Sequence, residues 1–124
     1  MNYKFIINKY FDHRSGLEKS NPLLEIENQK DYGWYFVDEI NYLSSNLDYI
    51  KEIVEKLETV LSGELQYYNG FGFEVYMIEC DIKNAIVKNI SENDQVEAII
   101  PTQKVYELMR DWRDYLINYH QGML

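Results

Sequence analysis

The 124-residue sequence predicts an α+β fold, in which an antiparallel sheet, a meander around residues 64–100 plus N-terminal strands, packs against two amphipathic helices. Three observations carry this expectation. Ile50, Ile53, Val54, Leu57, Val60 and Leu61 recur at helical spacing; the apolar residues between 64 and 100 recur at roughly every second position; and Val105, Leu108, Met109, Trp112, Leu116 and Tyr119 return to helical spacing. Each helix then has one apolar stripe to bury, and a sheet face can cover it. No internal repeat, proline-rich linker or low-complexity tract divides the chain, so residues 1–124 read as a single domain.

In order along the chain, Tyr3–Tyr10 mixes β-branched and aromatic residues and reads as a first strand. Asp12 to Pro22, with His, Arg, Ser, Gly, Asn and Pro, reads as a loop. Leu23–Glu27 reads as a short strand, Asn28–Gly33 as a turn, and Trp34–Val37 as the strand that returns from it. Ser45-Asn46-Leu47-Asp48 has the form of a capping box for the first helix, and Ser62-Gly63 supplies a glycine to end it. Asn69-Gly70, between Leu65–Tyr68 and Phe71–Ile78, predicts a tight hairpin turn, because both residues tolerate positive φ. Strands over 85–90 and 95–100 complete the meander. The second helix opens after Pro101 with Thr102 as N-cap and runs to about Tyr119.

Composition narrows the function. Twenty-one acidic residues against 12 Lys and Arg leave a net charge of −9, which repels phosphate backbones and disfavours direct contact with nucleic acid. No stretch approaches the roughly 20 apolar residues of a membrane span, and the first residues lack a signal-peptide pattern, so a soluble, cytoplasmic protein is expected, with no membrane partner. Cys80 is alone, which precludes an internal disulfide.

Chemistry-bearing motifs are scarce. Cys80 lies between Glu79 and Asp81, whose charges raise a thiol pKa, and it reads as a packed structural residue. His13 and His120 have no second His or Cys at ligand spacing, so neither a metal nor a cofactor is expected, and no phosphate-binding or nucleophile motif occurs. The pairs Asp38-Glu39 and Glu79 with Asp81 are close enough for acid–base work, but among 21 acids such pairs arise by chance. No catalytic residue is assigned.

The acids are grouped. Asp48, Glu52, Glu55 and Glu58 occupy the arc of the first helix opposite its apolar stripe, and Glu107, Asp111 and Asp114 do the same on the second. A solvated helix face accounts for either stripe alone, since lysines and arginines at i±3 and i±4 offset the repulsion. Twelve tyrosines, several beside acids, add ring surface that can anchor a partner while carboxylates steer it. The second-helix stripe, Glu107, Asp111 and Asp114 flanked by Tyr106 and Tyr115, is the first candidate partner-binding surface. Asp38 and Glu39 beside Trp34 are the second.

Leu57-Glu58 through Gly63-Glu64, Gly72–Tyr76, and Ile100-Pro101-Thr102 opening a helix that contains Glu107-Leu108-Met109-Arg110-Asp111-Trp112-Arg113-Asp114-Tyr115-Leu116 together resemble small bacterial immunity proteins of contact-dependent inhibition and polymorphic toxin systems. The match is a pattern of helix, meander and Trp-bearing final helix over about the last two-thirds of the chain; residues 1–45 have no counterpart in it. The resemblance implies a protein that binds one cognate toxin domain, often a basic nuclease, and blocks it without chemistry of its own. Two other readings stand beside it: an acidic nucleic-acid mimic from a phage or mobile element, and a small ligand-binding domain or enzyme with a carboxylate pocket. Oligomeric state is not legible in the sequence.

Overall fold

Two antiparallel sheets and three α-helices make up the computed structural model, which describes residues 1–37 and 39–122. The first sheet is a hairpin of β1 (Tyr3–Asp12) and β2 (Leu17–Ile26). A 3-10 turn at Gln29–Tyr32, the single-turn helix α1 (Trp34–Val37) and a 3-10 segment at Glu39–Ser45 lead into α2 (Leu47–Leu61). Strands β3 (Tyr68–Phe73), β4 (Tyr76–Cys80), β5 (Asn84–Asn89) and β6 (Gln95–Pro101) form the second sheet in sequence order, and α3 (Thr102–His120) closes the chain.

The α+β class, the meander and both long helices follow the sequence expectation. Ile53, Leu57, Val105, Leu108 and Trp112 meet in one core and are fully buried there. The N-terminal strands, however, do not join the meander. They pair with each other in register from Tyr3↔Ile26 to Asp12↔Leu17 and lie on α3, where Phe5 stacks on Trp112 at 5.6 Å and on Tyr115 at 4.8 Å.

Several local expectations are corrected. Residues 17–22 are strand, not loop, because Asp12 closes a tight turn by accepting from the Arg14 N–H, and the hydrogen bond from the Asn8 side-chain amide to the Asn21 Oδ1 and the Lys19–Asp12 ion pair hold the register beyond it. Pro22 is tolerated because a two-stranded sheet has only edge strands. Trp34–Val37 is helical: Gly33, at φ +92, breaks the extended path, and the Trp34 N–H bonds the Glu97 carboxylate instead of a strand. A Cβ at position 33 would sit 3.0–3.2 Å from Val87 and Glu97, and the positive φ would strain it further.

Asn69-Gly70 is not the turn. Both residues lie inside β3 at a register shift, and the chain reverses at Glu74-Val75 between the paired residues Phe73 and Tyr76. Here glycine serves close approach: the Tyr49 hydroxyl donates to the Gly70 carbonyl at 2.6 Å and accepts from the Gly72 N–H at 3.3 Å, and a Cβ on Gly70 would meet the Tyr68 ring at 2.8 Å. The caps also move by one residue. Asn46, not Ser45, accepts from the Tyr49 N–H, while Thr102 sits inside α3, buried, and donates its hydroxyl to the Asp81 carbonyl at 2.7 Å.

Candidate protein-binding site

Two of the three acids of α3, Asp111 and Asp114, are hydrogen-bonded within the molecule, and Glu107 Oε2 is buried with only a distant lysine. Glu107 faces Lys104 at 3.9 Å, Asp114 pairs with Arg113 at 2.9 Å, and Asp111 pairs with Arg110 at 3.1 Å while also accepting from the Tyr3 hydroxyl. Glu107 and Asp111 are half-buried rather than on an open arc, because β1 runs past them; Asp114 is exposed. The flanking rings are occupied too. Tyr106 lies under the Arg110 guanidinium at 5.5 Å and donates to Glu58 at 3.3 Å, and Tyr115 stacks on Phe5. The stripe is therefore balanced base for acid, whereas on α2 the exposed Asp48, Glu52, Glu55 and Glu58 stand against only Lys51 and Lys56, with no ion pair among the described residues.

A different set of carboxylates converges at one end of the larger sheet, beside the second candidate surface. Asp38 lies outside the described residues, but Trp34 is 55% exposed at the start of α1, and Glu39 follows it half-buried. Glu97 is the extra residue of a bulge between the pairs Val87↔Ala98 and Lys88↔Val96, and the bulge re-aims its carboxylate to the Trp34 N–H at 2.8 Å. Glu74 projects from the β3–β4 turn. Burial first, then the negative charges of Glu97, Glu39 and Glu74, hold the Tyr76 hydroxyl above its ordinary pKa, so three chain segments bring acids to one tyrosine.

Tyr76 and Glu74 line an open dish of about 260 Å³ with Tyr49, Gly72, Met77 and Ile90. The hydroxyls of Tyr35, which packs on the dish-lining Phe71, and of Tyr68 are buried with no hydrogen-bond partner among the described residues. Burial, followed by the charges of Tyr49, Glu39 and Tyr68, pushes the Tyr35 hydroxyl far up. Glu74 has φ +55, a conformation that disfavours a side chain and that recurs where backbone strain accompanies function.

Trp34 and Glu39 are legible as candidates in the sequence. Glu74 and Glu97 are not, since neither the Glu-Val turn nor the bulge carries a residue signature.

The other chemistry-bearing residues are placed elsewhere. Cys80 is fully buried, and burial, then Asp81 and Glu79, pushes its thiol up to about 12. Glu79 bonds Lys88 at 2.8 Å, which lowers its carboxyl pKa, while Asp81 receives the backbone N–H groups of Lys83 and Asn84, each at 2.8 Å. That pair does not share a site. His13 and His120 are exposed, each edge-on to a neighbouring ring. Among the described residues no three His, Cys, Asp or Glu side chains gather as a metal set, and no helix is long and apolar enough to cross a membrane. No protein-family model, curated protein or solved structure matches this chain.

Proposed function

We propose that the protein is an immunity-type inhibitor that neutralises a cognate, basic toxin domain in the cytoplasm by binding it, with no chemistry of its own, through the acidic, tyrosine-lined end of the four-stranded sheet. The observation that carries this reading is the convergence of Glu39, Glu74 and Glu97 on Tyr76 beside the exposed Trp34. Carboxylates acting on the half-buried Tyr76, with the exposed Trp34 ring on the segment whose N–H Glu97 holds, give what a Lys- or Arg-rich partner needs: a ring to anchor it and a field to steer it. The net charge of −9 extends that field, which reaches about 8 Å at physiological ionic strength. The α3 stripe serves less well, because a partner would first have to displace Lys104, Arg110 and Arg113.

The test is co-expression with the C-terminal domain of any large secreted protein encoded next to the gene, scored for growth and co-purification. The parent should restore growth, and Glu74→Lys with Trp34→Ala should abolish rescue with the melting temperature unchanged. Association should slow as salt rises. Full rescue by the double variant, or an association rate flat with ionic strength, would remove this surface from the mechanism.

A further inference from the structure

Among the described residues, the helices pack on the inner face of the four-stranded sheet and leave its outer face uncovered. Ile78, Cys80, Ala85, Val87, Ala98 and Ile100 point inward and are buried, and Tyr35 of α1 packs on Phe71 from that same side. Their strand neighbours point outward in two cross-strand rows, Glu79–Ile86–Ile99 and Met77–Lys88–Val96. Ile99 is 63% and Val96 48% exposed, the first of these the most exposed large apolar side chain described. Within the rows stand one acid and one base, Glu79 and Lys88, ion-paired on the diagonal at 2.8 Å.

We infer that this face is a two-fold contact between two copies of the chain, with the Glu79–Lys88 pairs at the axis and Ile86, Val96, Ile99 and Met77 packed around them. Three arguments support a second copy as the occupant. An isologous contact needs a self-complementary patch, and an adjacent acid and base meet that need: a two-fold rotation sets each carboxylate against the partner copy's ammonium, giving an alternating ring of four charges. The two rows carry no net charge of their own, although Asp94 acts on Lys88 from beside them, whereas the chain as a whole carries −9, so two copies approach here at lower cost than over its acidic surfaces. A basic partner, by contrast, finds no carboxylate in these rows that Lys88 does not already hold.

The area sets the strength. Four strands about 4.8 Å apart, each offering about five residues at about 3.4 Å rise, give a face of roughly 19 by 17 Å. That is below the ~800 Å² per partner of a standard stable interface. The dimer is accordingly weak and forms only as concentration rises.

Sedimentation equilibrium of the whole protein, from low micromolar to near-millimolar concentration, tests this inference without reference to any toxin. The parent should follow a monomer–dimer isotherm, and Ile99→Asp and Val96→Asp should each raise the dissociation constant at least about tenfold, with melting temperatures unchanged. Glu79→Lys and Lys88→Glu should each be monomeric alone, should form a heterodimer when mixed in equal amounts, and should dimerise like the parent when combined in one chain. A parent that stays monomeric throughout, a dimer indifferent to Ile99→Asp, or single variants that fail to complement on mixing would each overturn the two-fold contact. So would a monomeric parent whose Ile99→Asp variant loses growth rescue, since the face would then belong to the toxin.

Discussion

The Tyr3 hydroxyl donates to Asp111 Oδ2 at 2.5 Å, joining the first strand residue to the third turn of α3 across 108 positions. The other carboxylate oxygen is held by Arg110. Burial, then this bond, pushes the Tyr3 hydroxyl pKa well up, so the phenol stays protonated and donating throughout the physiological range. Tyr3→Phe and Asp111→Asn should each destabilise the protein by about 1–3 kcal/mol, the span for a part-buried bond to a charged group. The double variant should lose less than the sum, with a coupling of about 0.5–3 kcal/mol in urea melts. Additive losses would mean that the two side chains act independently. Charge reversal at Asp111 therefore perturbs the fold as well as any partner, whereas reversal at the exposed Asp114 should leave the urea midpoint within experimental error.

Trp112 is fully buried in a cluster of three mutually stacked rings with Phe5 and Tyr115, and its indole Nε1 has no hydrogen-bond partner among the described residues. Trp112→Ala should cost about 3–5 kcal/mol, read from chemical denaturation. Trp112→Phe should cost less than that cavity, because it keeps a ring in the stack and removes an orphaned donor. An unchanged midpoint for the alanine variant would contradict the burial.

Glu74 offers a test that separates stability from binding. Its φ of +55 suits glycine, so Glu74→Gly relieves strain of about 1 kcal/mol and should raise the melting temperature. The same change removes a carboxylate from the dish and should weaken partner binding. A variant that is both more stable and fully protective would leave the turn geometry without a binding role.

Cys80 should be inert in the folded protein. With its thiol pushed up to about 12, almost no thiolate exists at neutral or mildly alkaline pH, and the buried sulfur has no route to reagent. A chromogenic thiol reagent should react only after denaturant is added. Cys80→Ser, which buries a hydroxyl, should lower stability by about 1–3 kcal/mol yet retain protection. Loss of protection with the fold intact would reveal a thiol that does more than pack.

Long periodic segments were legible in the sequence because six apolar residues rarely fall on one helix face unless that face is buried. The α2 and α3 boundaries and their shared core follow from it. Short segments depended on partners far away. Residues 17–22 become strand through pairing with β1, and Trp34–Val37 becomes helix because Glu97, 63 positions away, takes its first N–H. Asn69-Gly70 misleads for a related reason: the pair suits a turn, but Tyr49 on α2 needs close access to the β3 backbone. The site divides in the same way. Trp34 and Glu39 stand out by residue type, while Glu74 and Glu97 matter through a strained turn and a bulge that no local pattern announces.

The docking of the hairpin on α3 has a consequence for synthesis. Tyr3 meets Asp111, Phe5 meets Trp112 and Tyr115, and the Ser20 carbonyl accepts from the Tyr119 hydroxyl, so the hairpin finds its seat in a helix translated well after it. A hairpin can close within microseconds, but translation at about 5–20 residues per second leaves its apolar side, Phe5, Leu24 and Ile26, uncovered for several seconds until α3 emerges. Through that interval the nascent chain is a candidate client for holding chaperones, and a ribosome stalled before residue 102 would present an open hairpin that has nothing to dock on.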